Sequence, residues 1–587
     1  MIKTKIDLRA VLHTPHSNFA FALDRRHFVV RLRTAKDDVE KVELVIGNQY
    51  LWQTRQEFPM EKIGQDELFD YWRCVYPMDD PRLGYYFLLH KGDETVLYSE
   101  AGFAWPDTLD IDNDRDGFIH FQFPYVNDGD IHRRPSWVEG AVFYQIFLDR
   151  FYDGDPSLDP EDKTPWGELP TVPSQYGGDL RGLIEKLDYL QQLGANALYL
   201  CPIFEARTNH KYDTVDYTRI DPHFGDEDTL RELVQKAHEH GIRIMLDGVF
   251  NHCGLYFGPF QDVLKNGENS PYKDWFHIHN FPVTLDPANF EGFAIGCGMP
   301  KLNTTNRGLR DYLLGAVEKW TRCGIDAWRL DVADEVENTF WREFRERVRA
   351  INPECLIIGE CWWNAEPWLK GDIWDGVMNY AVQKACILHY AEDRMNAEEF
   401  CARVTECLMR NTQQANECML NLLDTHDTPR FIRTCGGDKR RVRNAITFQY
   451  VFTGMPCTYY GTEIGLDGGM DPDCRRTFDW NEENWDHAMY DHVHTLMQLR
   501  HDSMALQSGD IRLSAQDDMV TVRRMAPLQT VVAVINNTEE AHTAQVAMPR
   551  ASSEVFSGER YIPGEDGTVS VTVPPMSARI LVTDRMI

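Results

Sequence analysis

The sequence lacks the features that mark nucleic-acid-binding, membrane-spanning and disulfide-bonded proteins. It carries 60 Lys and Arg against 92 Asp and Glu, and its formal net charge of −32 argues against nucleic acid or an anionic membrane as a partner. No apolar run approaches the roughly 20 residues of a membrane span, and the amino terminus lacks the apolar core of a secretory signal. The 14 Cys show no C-x-x-C spacing, so we expect reduced thiols rather than disulfides or a zinc site. Together these absences predict a cytoplasmic protein with a neutral substrate.

The chain of 587 residues is too long for one ordinary domain, and its pattern changes along its length. Alternating apolar and polar runs predict a β-sandwich over residues 1–122, followed by a polar, proline-marked linker over 123–137. Strand and helix patterns then alternate over 138–504, with a long gap at 251–306 that predicts an excursion domain. A second β-sandwich is predicted over 505–587.

Eight apolar runs in the alternating region predict buried strands. They are Val142–Leu148, Ala197–Cys201, Ile242–Leu246, Ile325–Leu330, Leu356–Gly359, Gly376–Tyr380, Met419–Leu423 and Cys457–Tyr460. Amphipathic segments between them predict helices at Leu180–Leu193, Asp228–His240, Arg307–Cys323 and Asn338–Ala350. This alternation predicts an α/β fold, a (β/α)8 TIM barrel, although doubly wound sheets share it.

The stretch from Gly324 to Glu335, G-I-D-A-W-R-L-D-V-A-D-E, ends a predicted strand on a carboxylate. Arg329 and Asp331 are two residues apart and therefore share one face of the strand, where the positive charge favours an ionised Asp331. An ionised, positioned carboxylate is a candidate nucleophile. A structural ion pair at a strand end explains this stretch equally well.

Three further acids also follow apolar runs, namely Asp247, Glu360 and Asp427. In a barrel, residues at the carboxyl ends of the strands meet at one face. Cleavage of a glycosidic bond with retention needs one carboxylate that attacks and one carboxyl group that donates a proton, and Asp331 and Glu360 suit these roles. Helix caps or ion pairs account for single acids at strand ends, but poorly for all four beside His252 and His426.

The segments D-G-V-F-N-H (247–252), G-I-D-A-W-R-L-D (324–331), I-I-G-E (357–360) and T-H-D (425–427) resemble, in order, signature regions of the α-amylase family of glycoside hydrolases. The resemblance implies retaining hydrolysis of α-glucosidic bonds, with Asp331 as nucleophile, Glu360 as general acid and base, and Asp427 as a third, stabilising acid. No cofactor is needed for this chemistry. The residues predicted to bind the substrate are His210, Tyr212, Asp247, His252, Arg329, Trp362, His426 and Arg430.

M-P-K-L-N (299–303), Y-Q-I-F-L-D-R-F (144–151) and D-P-D-C-R-R (471–476) resemble the cyclomaltodextrinase, neopullulanase and maltogenic amylase group of that family. The resemblance implies a homodimer in which the amino-terminal domain covers the partner's active site and favours cyclodextrins and short maltooligosaccharides. Two departures concern specificity. Asp334 stands where the group usually has Asn, and Trp363 stands where it has a polar residue.

Asp153, Asp155 and Asp159, with Gly177 and Asp179, resemble the calcium site of some members of the group. Clustered carboxylates suit this hard ion. One usual Asn ligand is Leu158 here, and a polar turn is an equally good interpretation.

Two other functions stay open at this stage. A noncatalytic carbohydrate-binding protein on the same fold is disfavoured by the intact Asp331, Glu360 and Asp427. An α-1,6-specific glucosidase is disfavoured by M-P-K-L-N.

Overall fold

The computed structural model describes residues 2–108, 119–293 and 298–583. The amino-terminal part is a sandwich of two antiparallel sheets, with strand orders β1-β2-β6-β5 and β4-β3-β7-β8-β9, and β10 pairs with β7. Its strands are β1 (Ala20–Ala22), β2 (His27–Ala35), β3 (Lys41–Asn48), β4 (Gln56–Pro59), β5 (Glu61–Gln65), β6 (Phe69–Pro77), β7 (Leu83–Lys91), β8 (Glu94–Ser99), β9 (Gly102–Ala104) and β10 (Phe121–Phe123). Alternate residues of the facing sheets fill one core, as the sequence pattern predicted.

The central part is a closed barrel of eight parallel strands in the order β18-β17-β16-β15-β12-β11-β20-β19. A parallel bridge between Met378 and Leu420 joins the first and last strands of that order and closes the barrel. The strands of this part, with a small β13–β14 hairpin, are β11 (Phe143–Ile146), β12 (Ala197–Leu200), β13 (Phe204–Ala206), β14 (Thr214–Ile220), β15 (Arg243–Gly248), β16 (Ala327–Leu330), β17 (Leu356–Gly359), β18 (Gly376–Val377), β19 (Leu420–Asn421) and β20 (Met455–Tyr459). The predicted TIM barrel is therefore confirmed.

Alternation along each barrel strand sends side chains to two different cores. Phe143, Met245 and Ile358 point into the barrel and pack with one another. Their neighbours, such as Leu246 and Ile357, face the surrounding helices. Because both faces of each strand are buried, the strands appear in the sequence as short continuous apolar runs. These runs are the pattern from which the strands were predicted.

The helices are α1 (Leu180–Glu185), α2 (Leu187–Leu193), α3 (Glu227–Glu239), α4 (Gly258–Asn266), α5 (Arg307–Thr321), α6 (Asn338–Ile351), α7 (Tyr380–Cys386), α8 (Ala397–Met409), α9 (Gln413–Glu417), α10 (Phe431–Thr434), α11 (Lys439–Val451), α12 (His487–Asp502) and α13 (Met504–Ser508). Several begin at side-chain caps. Asp226, for example, accepts a hydrogen bond from the Thr229 amide at the start of α3.

Three element predictions were wrong in detail. The single helix expected over Leu180–Leu193 is interrupted at Lys186, which leaves helical geometry and places its ammonium 3.8 Å from the centre of the Tyr152 ring. The strand expected over Gly376–Tyr380 ends at Val377, because Asn379 caps α7 by accepting from the Val382 amide. The strand expected over Met419–Leu423 is likewise only Leu420–Asn421.

The excursion between β15 and α5 contains α4 and returns to the barrel through M-P-K-L-N, where His252 and Lys301 form an antiparallel bridge. The carboxyl-terminal part has a six-stranded sheet, β21-β22-β23-β28-β25-β26, and the pair β24-β27. These strands are β21 (Asp510–Gln516), β22 (Met519–Ala526), β23 (Gln529–Asn536), β24 (His542–Ala547), β25 (Ser552–Glu554), β26 (Arg560–Tyr561), β27 (Thr568–Val573) and β28 (Ser577–Thr583). Among the described residues, no helix has both the length and the apolar character needed to span a bilayer.

Candidate active site

Asp247, Asp331 and Glu360 lie at the carboxyl ends of three neighbouring barrel strands. Asp247 in β15 lies opposite Arg329 in β16, and Leu330 lies opposite Gly359 in β17. The residues that follow Leu330 and Gly359 are Asp331 and Glu360, so this register brings their carboxyl groups to the carboxyl-terminal face of the barrel.

The Arg329 guanidinium joins these acids. Its Nη1 donates to Asp331 Oδ1 at 2.8 Å and to Asp247 Oδ1 at 2.9 Å, and its Nη2 lies 2.9 Å from Glu360 Oε2. The Arg329 side chain is fully buried, and the planar guanidinium fixes the directions of the carboxylates that it binds. The two candidate reactive carboxyl groups therefore sit on adjacent nitrogen atoms of one guanidinium.

Electrostatics at Asp331 differ from the simple expectation from sequence. Burial raises the pKa of Asp331 well above its usual value, the neighbouring carboxylates add to this effect, and Arg329 opposes it. The expected lowering by Arg329 is thus only one of two competing effects. Asp331 Oδ2 has no hydrogen-bond partner among the described residues and lies 3.8 Å from His252 Nε2. The described residues therefore leave the hydrogen-bonding capacity of this oxygen unused.

Two hydrogen bonds fix the orientation of the Glu360 carboxyl group. Its Oε2 accepts from the Val332 amide at 2.9 Å, and its Oε1 accepts from Trp362 Nε1 at 2.9 Å. Val332 has a φ of 43°, a left-handed conformation that is rare for a β-branched residue. This backbone strain lies directly after the candidate nucleophile, as it often does at functional sites. Trp362 in turn stacks on Tyr380, with ring centres 3.8 Å apart.

Tyrosine hydroxyls bind the third buried acid. Tyr199 and Tyr212 donate to Asp247 Oδ2 at 2.8 and 2.9 Å. Burial raises the pKa of Asp247, while Arg329 and these hydroxyls oppose the rise. Tyr212 also stacks on His426 with an interplanar angle of 5°. The N-H-K-Y-D segment thus belongs to the site, as the sequence predicted.

His426 is neutral and has a defined orientation. Burial lowers its pKa well below the usual value. The Gln145 amide donates to Nδ1 at 2.8 Å, which assigns the ring proton to Nε2, 3.2 Å from Asp427 Oδ2. Arg475 lies 3.5 Å from Asp427 Oδ1 and donates to the His426 carbonyl at 2.8 Å. Asp427 is the most exposed of the candidate catalytic acids, at 32% of its side chain.

Two more histidines line the site. Burial lowers the pKa of His252 to about 3, and Lys301 contributes to the decrease. His252 stacks on Phe293 with ring centres 4.8 Å apart. His210 accepts from the Tyr212 amide through Nδ1 at 3.1 Å, and burial lowers its pKa as well. Both rings are neutral donors or acceptors of the kind that bind sugar hydroxyls.

Arg430 does not fit its predicted role in substrate binding. It is fully buried, it donates to the Cys474 carbonyl at 2.9 Å, and its guanidinium lies 3.8 Å from the centre of the Tyr459 ring. Arg430 thus binds backbone carbonyls and stacks on a tyrosine, and in this way it stabilises the wall behind the site.

Sequence reasoning missed three residues of the site, Gln145, Tyr199 and Arg475. Gln145 and Arg475 lie within segments quoted above for their resemblance, Y-Q-I-F-L-D-R-F and D-P-D-C-R-R. A polar residue inside a buried strand, such as Gln145, was the signal available, because buried polar groups need partners.

The predicted calcium ligands are close in space but do not form a calcium site. Lys163 Nζ lies between Asp153 and Asp159 and is ion-paired with both. Among the described residues, no group of three or more His, Cys, Asp or Glu is arranged to hold a metal. The residues present therefore fit the polar turn, not the metal.

Comparison with known proteins covers nearly the whole chain. Residues 145–508 match the family described as Alpha amylase, catalytic domain, and residues 6–127 match Alpha amylase, N-terminal ig-like domain. The chain is 46% identical over 581 residues to a Cyclomaltodextrinase of Geobacillus thermopakistaniensis (strain MAS1), covering 96% of this chain and 97% of that protein. It is 40% identical to Neopullulanase 2 of Thermoactinomyces vulgaris, covering 98% and 99% of the two chains. A solved structure of a Cyclomaltodextrinase superposes with a TM-score of 0.92 at 41% identity, over 98% of this chain and 100% of that chain.

Proposed function

The chain belongs to the α-amylase family of glycoside hydrolases, and from that premise we propose that it hydrolyses α-1,4 bonds of cyclodextrins and short maltooligosaccharides, and α-1,6 bonds of pullulan more slowly, with retention. One observation carries the proposal. Arg329 holds Asp331 and Glu360 side by side, and Asp331 Oδ2 has no hydrogen-bond partner in the part of the chain that the structure describes. Proteins similar to the chain over nearly its full length are named for cyclomaltodextrin and pullulan hydrolysis.

The mechanism takes two steps. Asp331 Oδ2 attacks the anomeric carbon while Glu360 gives its proton to the leaving oxygen, and a glycosyl ester forms on Asp331. Glu360 then removes a proton from water, which attacks the same carbon and releases the sugar.

The remaining side chains bind the sugar at the point of cleavage. Asp427 faces the cleft and stabilises the positive charge that develops on the sugar ring. The neutral His252, whose Nε2 has no hydrogen-bond partner among the described residues, donates to a ring hydroxyl without adding a competing positive charge. His426 Nε2 lies 2.5 Å from the Tyr212 hydroxyl and holds that side chain in place. Tyr212 supplies a flat ring for the face of the sugar.

Initial rates on β-cyclodextrin, soluble starch, pullulan and maltotriose test the substrate assignment. We expect the highest kcat/KM on β-cyclodextrin. A strong preference for starch contradicts a cleft suited to small glucans, and a preference for pullulan replaces the α-1,4 assignment with α-1,6. Product anomers followed by NMR test retention separately.

The proposal includes a homodimer. Tyr50 and Leu51, in the turn after β3 of the amino-terminal sandwich, are 75% and 51% exposed. Exposed apolar side chains of this kind favour contact with another subunit. Sedimentation at several protein concentrations gives the stoichiometry, and a monomer that is fully active contradicts this part of the proposal.

The proposed location is the cytoplasm. The cysteines in the described part of the chain are unpaired and buried. Unpaired thiols in this number fit a reducing compartment. Cell fractionation with an antibody against the protein tests the location.

A further inference from the structure

A lysine occupies the centre of the acidic loop after the first barrel strand. Lys163 Nζ lies 2.8 Å from Asp159 Oδ2 and is also ion-paired with Asp153. The three side chains are only 20–25% exposed, so the ion pairs are partly shielded from water. The two carboxylates raise the pKa of Lys163 against the effect of burial, so the ammonium keeps its charge.

The other two acids of the loop bind backbone amides. Asp179 accepts from the Gly182 amide at 2.6 Å, as the cap of α1, and from the Asp155 amide at 2.8 Å. Asp155 accepts from the Ser157 amide and hydroxyl. Asp179 and the Oδ1 atom of Asp155 therefore hold turns, whereas the Oδ1 atoms of Asp153 and Asp159 have no hydrogen-bond partner among the described residues.

The backbone leaves little room beside the lysine. Gly177 has a φ of 83°, and a Cβ there would lie 2.2 Å from Asp159 Oδ1 and 3.2 Å from Lys163 Nζ. Calcium takes six to eight oxygen ligands at about 2.3–2.6 Å, so it would need the place of the ammonium.

The loop also supports one wall of the active site. Arg150 donates to the carbonyls of Ser174 and Arg475, at 2.8 and 2.7 Å. Asn209, next to His210, donates to the same Ser174 carbonyl. Arg475 is the residue that contacts Asp427. Order in the loop is thus transmitted to residues on both sides of the cleft.

We propose that Lys163 is an internal cation that takes the place of a calcium ion, so that this chain orders the loop without a metal. The ammonium neutralises Asp153 and Asp159 from within the chain. The loop then stays ordered at any calcium concentration.

Replacement of Lys163 by Met tests the proposal, because Met keeps an unbranched side chain that is one atom shorter and removes the charge. Melting temperatures are measured at one scan rate in excess EDTA and in millimolar CaCl2, with NaCl matched for ionic strength. We expect the same Tm for the wild type in all buffers. Lys163→Met should melt roughly 1–4 °C lower in EDTA and recover part of this loss in calcium. Lys265→Met, at an exposed lysine of α4, is the control and should behave as the wild type.

Bound calcium gives a second readout that does not depend on activity. After dialysis against calcium, we expect well below one equivalent in the wild type and about one in Lys163→Met. A wild type that binds calcium or melts higher in its presence overturns the proposal. So does a Lys163→Met variant that melts like the wild type in EDTA, or one that calcium does not stabilise. If Lys163→Met does not fold, Asp153→Asn replaces it, and a Tm equal to that of the wild type then overturns the proposal.

Discussion

The Arg329 cluster and the Lys163 cluster each gather carboxylates around one cation, and they differ in the kind of cation and in the burial of the carboxylates. Around Arg329, Asp247, Asp331 and Glu360 are almost completely buried, and Asp331 Oδ2 has no partner in the described residues. Around Lys163, Asp153 and Asp159 are partly exposed and lie on a turn, and the Oδ1 atom of each also has no hydrogen-bond partner in the described residues. The first cluster stands on strand ends and the second stands on loop residues.

The difference shows what makes an acidic cluster reactive. A planar guanidinium contacts several carboxylates in fixed directions and holds them near one another, while an ammonium acts as a compact charge. Burial of Asp331 raises its pKa and keeps it poorly satisfied. The side chains of the lysine cluster are 20–25% exposed, and this partial exposure limits the energy of each ion pair. Nearly complete burial and contacts in fixed directions thus mark the candidate catalytic cluster.

The largest expected effect follows from changing the two acids that Arg329 holds together. Asp331→Asn removes the proposed nucleophile and Glu360→Gln removes the proposed proton donor, while shape and volume are kept. Each should lower kcat on β-cyclodextrin by about 10³-fold or more. Circular dichroism and the melting temperature should show an intact fold. Asp372→Asn, at a half-exposed acid paired with Arg342, serves as control, and near-normal turnover in either acid variant contradicts the assignment.

Exchanging the cations tests the comparison directly. Arg329→Lys keeps the charge but cannot contact Asp331 and Glu360 through two adjacent nitrogens, so kcat should fall by about 10²-fold. Lys163→Arg keeps the charge on a loop with solvent at its edge, so kcat should stay within about twofold. Rates on β-cyclodextrin measure both. If the two exchanges have equal effects, the geometry of the guanidinium is not what distinguishes the clusters.

Sequence predicted the acids of the site better than their surroundings. Asp247, Asp331 and Glu360 each close an apolar run, and a barrel brings such strand ends together, so their proximity followed from the fold class. The contact between Gln145 and His426 spans 281 positions of the chain, and no local pattern encodes it. The direction of the Asp331 pKa shift could not be predicted from the sequence either, because it depends on burial of the carboxyl group by segments that are distant along the chain.

The acidic loop shows the same limit. The spacing of Asp153, Asp155 and Asp159 suggests metal ligands as readily as a turn, and only the fold places Lys163 between two of them. Arg430 was predicted to bind the substrate. The backbone turns its side chain toward buried carbonyls instead.

A buried histidine beside Asp331 gives the next effect in size. Burial lowers the pKa of His252 to about 3, below its usual value of 6.5. The folded protein therefore binds fewer protons there than the unfolded chain. This contribution to stability is complete above pH 6.5 and is lost as the pH falls toward 3, by about 2 kcal/mol between pH 7 and pH 5.

His252→Asn should therefore lose less stability than the wild type between pH 7 and pH 5. Melting temperatures at the two pH values measure this difference. The variant should also show a kcat about tenfold lower, since a donor to the sugar is gone, with the acid limb of its pH profile unmoved. His27→Asn, at an exposed histidine, should keep the wild-type dependence. An acid limb that moves in His252→Asn means that His252 titrates during catalysis.

The smallest expected effect concerns the two tryptophans after Glu360. Trp362 stacks on Tyr380 and donates to Glu360, whereas Trp363 is 78% exposed. Trp363→His restores a polar residue, and kcat for hydrolysis should stay within about twofold because no contact with a reacting group is lost. The ratio of transfer to hydrolysis products on maltotriose should change about two- to threefold, since an exposed ring offers a stacking surface to an incoming sugar. Trp362→His is the matched comparison. It should lower kcat about tenfold, because Glu360 loses a hydrogen-bond donor that orients it. If the two variants lose the same activity, the difference in exposure between Trp362 and Trp363 does not correspond to a difference in their roles.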